Sequence, residues 1–164
     1  MDVDKAVKYL DDNAETTPQE RCAQYVREAL SAGGLKLTHP PASAKDYGPT
    51  LLGAGLTKFH EFRHIPPPTP AEAADHSISI KTGLTAYEER TGIISINLSG
   101  PIASELYVAK KGDVAVIQPY DGGNPNGHIT MYDGNQWVSD FKQRDIWGGA
   151  GYRKHRPDCV IYRP

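Results

Sequence analysis

The chain has 164 residues, a mass of 17.9 kDa and a formal net charge of −2, with 38% hydrophobic and 23% charged residues. One ordinary domain with apolar surface enough for a core fits these figures, and a disordered chain does not. A nearly neutral chain without a basic block offers no electrostatic attraction to nucleic acid or an anionic membrane, and no apolar window is long enough to span a bilayer.

Residues 2–14 carry Val3, Ala6, Val7, Leu10 and Ala14 at helical spacing with charges between them, which predicts an amphipathic helix. Thr17-Pro18-Gln19-Glu20 reads as the capping box of a second helix, with Thr17 as N-cap and Pro18 in the first turn. Cys22, Tyr25, Val26, Ala29 and Leu30 then share one face, and Gly33-Gly34 ends the helix. On this reading Cys22 lies about a turn and a half inside the helix. A short helical stretch over about 43–58, interrupted at Gly48-Pro49, follows the break at 38–41.

Pro66 to Pro70 form a stronger break, and about 65–107 is read as an insertion without a place in the core. Within it, 71–75 look helical, while Ser77–Ile80 and Ile93–Leu98 look like short strands. The C-terminal third reads as antiparallel strands at Asp113–Gln118, His128–Tyr132, Gln136–Phe141 and Cys159–Tyr162. Asp133-Gly134-Asn135 marks a hairpin, and Trp147–Gly151 a Gly-rich loop. Helices first and strands later argue an α+β class, as one domain over 1–164.

Three chemistries compete. His60-Glu61-Phe62-Arg63-His64 is a literal H-E-x-x-H, which on a helix would turn both imidazoles toward one zinc with the glutamate as base. Pro66-Pro67-Pro68 follows too closely for such a helix and no third ligand stands at a familiar spacing, so no metal is expected. The second candidate joins Cys22 to His128. A cysteine near a helix N-terminus has its thiolate favoured by the dipole and the unpaired N–H groups, and a histidine on a neighbouring strand can take its proton. If Asp133–Asn135 is a three-residue loop, Tyr132 faces Gln136, and counting back sets His128 opposite Asp140 on one face of the sheet. Asp140 would then orient the imidazole; a two-residue turn would set Ser139 or Phe141 there instead. Core packing of Cys22 is the plain alternative. Cys159, with no helix N-terminus to lower its pKa, is expected to be dispensable. The third candidate is a wall-binding module, with Tyr120, Trp137, Trp147 and Tyr152 beside Gly-rich loops as contacts, although Trp137 on its strand suits a core position.

The run Lys111-Gly112-Asp113-Val114-Ala115-Val116, followed by Gly127-His128-Ile129-Thr130-Met131-Tyr132-Asp133-Gly134, resembles the NlpC/P60 and CHAP cysteine hydrolases. In that superfamily a "GD" strand precedes a "GH" strand bearing the catalytic histidine, and the nucleophile opens an earlier helix, as Cys22 does in Glu-Arg-Cys-Ala-Gln-Tyr-Val. A polar residue on the next strand completes the site, matching Asp140 in Trp-Val-Ser-Asp-Phe. The resemblance covers about 17–58 and 108–142 and departs from the family in the stretch 65–107 and in the aspartate itself, where many relatives carry His, Asn or Glu. It implies a papain-like fold with N-terminal helices packed on the sheet. It also implies hydrolysis of an amide bond in the peptide of bacterial peptidoglycan, without cofactor or metal, through Cys22, His128 and Asp140.

Small size and the lack of an apolar signal segment in MDVDKAVKYLDDNAE look like the amidase effectors of type VI secretion. A protein of that kind is made in the cytoplasm, acts in the periplasm of a target cell and is met by a protective immunity protein. The bond cleaved stays open among the N-acetylmuramoyl–L-alanine link, the D-Glu–diaminopimelate link and a cross-link.

Overall fold

The structure, a computed structural model, describes residues 1–64 and 107–164, together with the backbone of strands at 85–88 and 94–97. Its elements in chain order are α1 (Val3–Asn13), α2 (Cys22–Ala32), a 3-10 turn (Ala44–Asp46), α3 (Tyr47–Gly53), β1 (Thr57–Phe62), β2 (Thr85–Glu88), β3 (Ile94–Asn97), β4 (Val114–Ile117), β5 (His128–Tyr132), β6 (Trp137–Val138), α4 (Ala150–His155) and β7 (Cys159–Arg163). The chain forms two compact units: Met1–His64 with Ala109–Pro164, and Ile65–Val108. In the smaller, β2 and β3 pair antiparallel, Thr85 opposite Asn97. The strand expected over Ile93–Leu98 is β3, whereas the segments expected at 71–75 and Ser77–Ile80 lie outside the described residues.

The larger unit is α+β: a five-stranded antiparallel sheet in the order β1-β7-β4-β5-β6, with helices against it. Asp2 caps α1 by accepting the Lys5 N–H at 3.0 Å, and Ala6, Val7 and Leu10 turn inward as their spacing predicts. They meet Val26, Ala29 and Leu30 of α2 over Val114, Val116, Ile129 and Met131, which share one sheet face. Tyr47 and Leu51 of α3 complete this core. Pro49 sits in the first turn of α3, where its missing N–H leaves no intrahelical bond unmade. Among the described residues no helix is long and apolar enough to cross a membrane.

Three local expectations need correction. First, α2 begins at Cys22 rather than at Thr17-Pro18; Glu20 has a positive φ of 58°, and Thr17 Oγ1 accepts from the Gln19 side chain instead of capping a helix. Second, residues 57–62 form strand β1, paired with β7, and not the end of a helix. Third, β5 and β6 pair with Tyr132 opposite Trp137 and Met131 opposite Val138, one residue away from a three-residue loop. Asp133 causes this shift: its carboxylate accepts the N–H groups of Asn135 (2.6 Å) and Gln136 (2.7 Å), and its own N–H donates to the Gln136 carbonyl at 3.0 Å. Strand β6 then ends at Val138, because Val138 bridges back to Lys142 through a tight turn.

The far end of the sheet is locked by charge. Asp113, fully enclosed, holds Arg163 of β7 through two bonds of 2.7 Å, and the guanidinium lies 3.5 Å over the Phe59 ring. The aspartate of the "GD" pair therefore ties β4 to the C-terminal strand.

Candidate active site

Cys22 stands at the first position of α2, and α2 packs on β5. His128 is the first residue of β5, opposite Ile117 of β4. Gly127 leads into it with φ at +68°, and a β-carbon there would collide with the Ile117 carbonyl oxygen, so glycine alone suits the entry. Cys22, His128 and Asp140 line one cleft of about 580 Å³, walled further by Arg27, Tyr120 and Tyr152.

The hydrogen bond that orients the imidazole comes from a residue the sequence reading did not name. The Gln143 amide meets Nε2 of His128 at 2.7 Å, and its Nε2 lies 2.8 Å from Ser139 Oγ. Gly148 presses on the same nitrogen so closely that a β-carbon would stand 2.7 Å from Nε2, at a φ of +68°. Amide and glycine together leave the ring one orientation, with Nδ1 free of protein partners among the described residues. Gln143 lay hidden because it follows the turn after β6, where no periodicity marks it.

Asp140 has a different place from the one expected. The pairing of β5 with β6 stops at Met131–Val138, so Asp140 lies in the turn beyond the strand and not opposite His128. The Asp140 carboxylate instead accepts the backbone N–H groups of Gln19 (2.7 Å) and Arg21 (3.0 Å) and the Ser139 hydroxyl (2.9 Å). It thereby holds the segment that delivers Cys22 to the helix start. Its charge still reaches both neighbours, raising the affinity of His128 and Cys22 for protons.

Burial dominates both titrations. It pushes His128 down to about 4, against the smaller opposing effects of Asp140 and Gln143. It pushes the Cys22 thiol up to about 11, although the N–H groups of Ile129, Ala23 and Cys22 favour the thiolate. The expected stabilisation of a resting thiolate by the helix terminus is thus outweighed, and the pair rests as neutral thiol and neutral imidazole. Tyr152 is pushed up to about 12, again chiefly by burial, so its phenol keeps its proton.

His60 and His64 are separated by the strand. With His60 in β1 and His64 beyond its end, the pair lacks the helical turn that would face both rings to one ion. His64 instead bonds the Arg156 carbonyl through Nδ1 at 3.2 Å, and its N–H donates to Asp158. Among the described residues no three His, Cys, Asp or Glu side chains converge as metal ligands. Cys159 is buried on β7, away from the residues lining the cleft, and its thiol is pushed far upward by burial. Of the aromatic residues, Tyr120 and Tyr152 line the cleft, whereas Trp137 is buried beside Tyr132, ring centres 5.3 Å apart.

No protein-family model and no curated protein matches the chain. Solved structures do. The selenomethionine crystal structure of the type VI effector–immunity complex Tae3–Tai3 from Ralstonia pickettii matches with 35% identity and a TM-score of 0.61, over 97% of this chain and 99% of the other. The native form of that complex matches with 34% identity and a TM-score of 0.63, over 99% and 98%. The chain belongs to the Tae3 family of type VI effectors. Near-complete coverage in both directions means that the similarity extends over nearly the whole of both chains.

Proposed function

We propose that the chain is a cysteine-dependent amidase of peptidoglycan, a papain-like enzyme of the NlpC/P60 and CHAP kind delivered as an antibacterial effector. The observation that carries this reading is the meeting of Cys22, at a helix start, with His128, held at Nε2 by Gln143, in one cleft. On this reading Nδ1 is the nitrogen that takes the thiol proton. A glutamine amide can offer either its N–H or its oxygen; proton uptake at Nδ1 requires the oxygen on an Nε2–H, and the Ser139 hydroxyl, 2.8 Å away, then donates to that oxygen in place of Asp140. From the neutral pair, the thiol proton passes to Nδ1 as sulfur attacks the carbonyl, and the imidazolium returns it to the departing amine. Water then hydrolyses the acyl-enzyme with the same base. Asp140 acts as a positioning residue for the Cys22 segment, and no step calls on a cofactor.

The substrate class follows from family and charge. Arg27 lines the cleft half-buried, held against the Tyr47 phenol, with no carboxylate partner among the described residues. A wall peptide carrying free carboxylates complements it. The Tae3 structures are effector–immunity complexes, which supports a protective immunity protein as a partner here as well. On this reading the protein is made in the cytoplasm and acts on the wall in the periplasm of a target cell.

Purified sacculi digested with the protein should release muropeptides whose masses identify the broken amide bond, and Cys22→Ala should release none while unfolding at the same temperature. Full digestion by folded Cys22→Ala would end this reading.

A further inference from the structure

Three arginines are half-buried among the described residues: Arg27, Arg153 and Arg163. Two of them are neutralised within the fold, Arg153 by Asp145 at 3.3 Å and Arg163 by the enclosed Asp113 at 2.7 Å. Arg27 has no such partner there. Its guanidinium lies against the phenol of Tyr47, which is fully enclosed and donates its own O–H to the Ala23 carbonyl at 3.3 Å. The two acids that line the same cleft do not neutralise it: Asp140 is engaged by the Gln19 and Arg21 N–H groups, and Glu20 is exposed to water. A guanidinium that has given up part of its water and opens onto a cleft keeps donors for a group from outside. The group that suits its planar fork best is a carboxylate, gripped through two parallel N–H···O bonds.

Position narrows the choice of carboxylate. Cys22 opens α2 and Arg27 follows in its second turn, with Ala23 and Gln24 lining the cleft between them. At 1.5 Å per residue the two are separated by about 7.5 Å along the helix axis. An extended peptide advances about 3.3 Å per residue, so a chain lying along α2 with its scissile carbonyl at Cys22 brings a group about two residues away to Arg27. We propose that Arg27 is a specificity-determining residue that pairs with a free carboxylate about two residues from the scissile carbonyl, so that wall peptides with this carboxyl amidated are poor substrates. This rests on the amidase reading above and sharpens its charge match into a discrimination between an acid and its amide. An amide there carries no charge and turns N–H donors toward a guanidinium that has only donors.

The test uses soluble muropeptides, released from sacculi by a muramidase, beside the same muropeptides amidated at their carboxyl groups with carbodiimide and ammonia. The wild type should cleave the amidated set with kcat/KM lower by about tenfold to a hundredfold, chiefly through KM, the scale of lost charge-assisted hydrogen bonds. Arg27→Gln should show the same loss on the untreated set and treat the two sets alike. Arg27→Lys keeps the charge without the fork and should retain part of the preference; it carries the comparison if a thermal melt shows Arg27→Gln unfolded. Alkylation of Cys22 by iodoacetamide should keep its rate in both variants, because thiol and imidazole are untouched. Equal cleavage of the two sets by the wild type would overturn the proposal. So would an undiminished preference in the folded variant, or a fall in kcat at constant KM, which would place Arg27 in the chemistry rather than in recognition. Cys22→Ala on the untreated set tests the amidase reading by itself: cleavage there removes that reading, whereas equal cleavage of both sets by the wild type removes only the role of Arg27.

Discussion

Acid should destabilise this protein through His128, and the size of the effect follows from burial. In the fold the imidazole is pushed from 6.5 down to about 4. Once unfolded, it takes up a proton near the ordinary histidine value. Between those limits the unfolded chain binds a proton that the native state refuses, so stability is fully present above about 6.5 and is lost as pH falls toward 4. At pH 5 the loss relative to pH 7 is about 2 kcal/mol, and below 4 it levels off near 3 kcal/mol, roughly 1.4 kcal/mol for each pH unit of depression. Urea unfolding at pH 7 and pH 5 measures it, with His128→Gln as the reference. The variant keeps the other five histidines and every carboxylate, so the difference of differences isolates one ring. The wild type should lose about 2 kcal/mol more than the variant over that interval. Equal losses in the two proteins would refute the argument and show that water or Asp140 supports a charged ring inside the cleft.

The remaining expectations concern what holds the site. Gln143→Leu should lower kcat about tenfold or more while KM changes little, because the ring loses its anchor; Gln143→Glu should restore part of the rate and move the acid limb of the pH–rate profile upward. An unchanged profile in Gln143→Glu would mean that the amide does not act on the imidazole. Asp140→Ala leaves the Gln19 and Arg21 N–H groups without their acceptor and should destabilise by about 2 kcal/mol or more in urea unfolding, whereas Asp140→Asn keeps an oxygen for them and should lose much less. Asp113→Ala takes the carboxylate from a largely buried guanidinium and should destabilise by about 3 kcal/mol, seen as an earlier thermal transition. Gly148→Ala forces a β-carbon toward Nε2 of His128 and should reduce activity more than stability, read by sacculus digestion beside a thermal melt.

Much of the framework was legible in the residue pattern. The spacing of Val7 and Leu10, the apolar runs at Val114–Ile117 and Cys159–Tyr162, and the glycine before His128 are signals of local origin. Burial periodicity and glycine stereochemistry act within a few residues, so α1, β4, β5 and β7 fall where the sequence places them. Cys22 and His128 could be singled out for the same reason, as a cysteine near an expected helix N-terminus and a histidine opening a strand. Other features depend on partners far along the chain. Helix α2 starts at Cys22, not at Thr17, because a carboxylate 119 residues away takes the Arg21 N–H. The β5–β6 register turned on which N–H groups the Asp133 side chain accepts, and a shift of one residue moved Asp140 away from His128 and left the ring to Gln143. The first three residues of the H-E-x-x-H run lie in a strand because β7 offered them a ladder, an option that five residues cannot reveal. Proton affinities were the least legible of all. The helix terminus at Cys22 argued for a thiolate, but burial, which exists only once the helices close over the sheet, outweighs those N–H groups and keeps the thiol protonated.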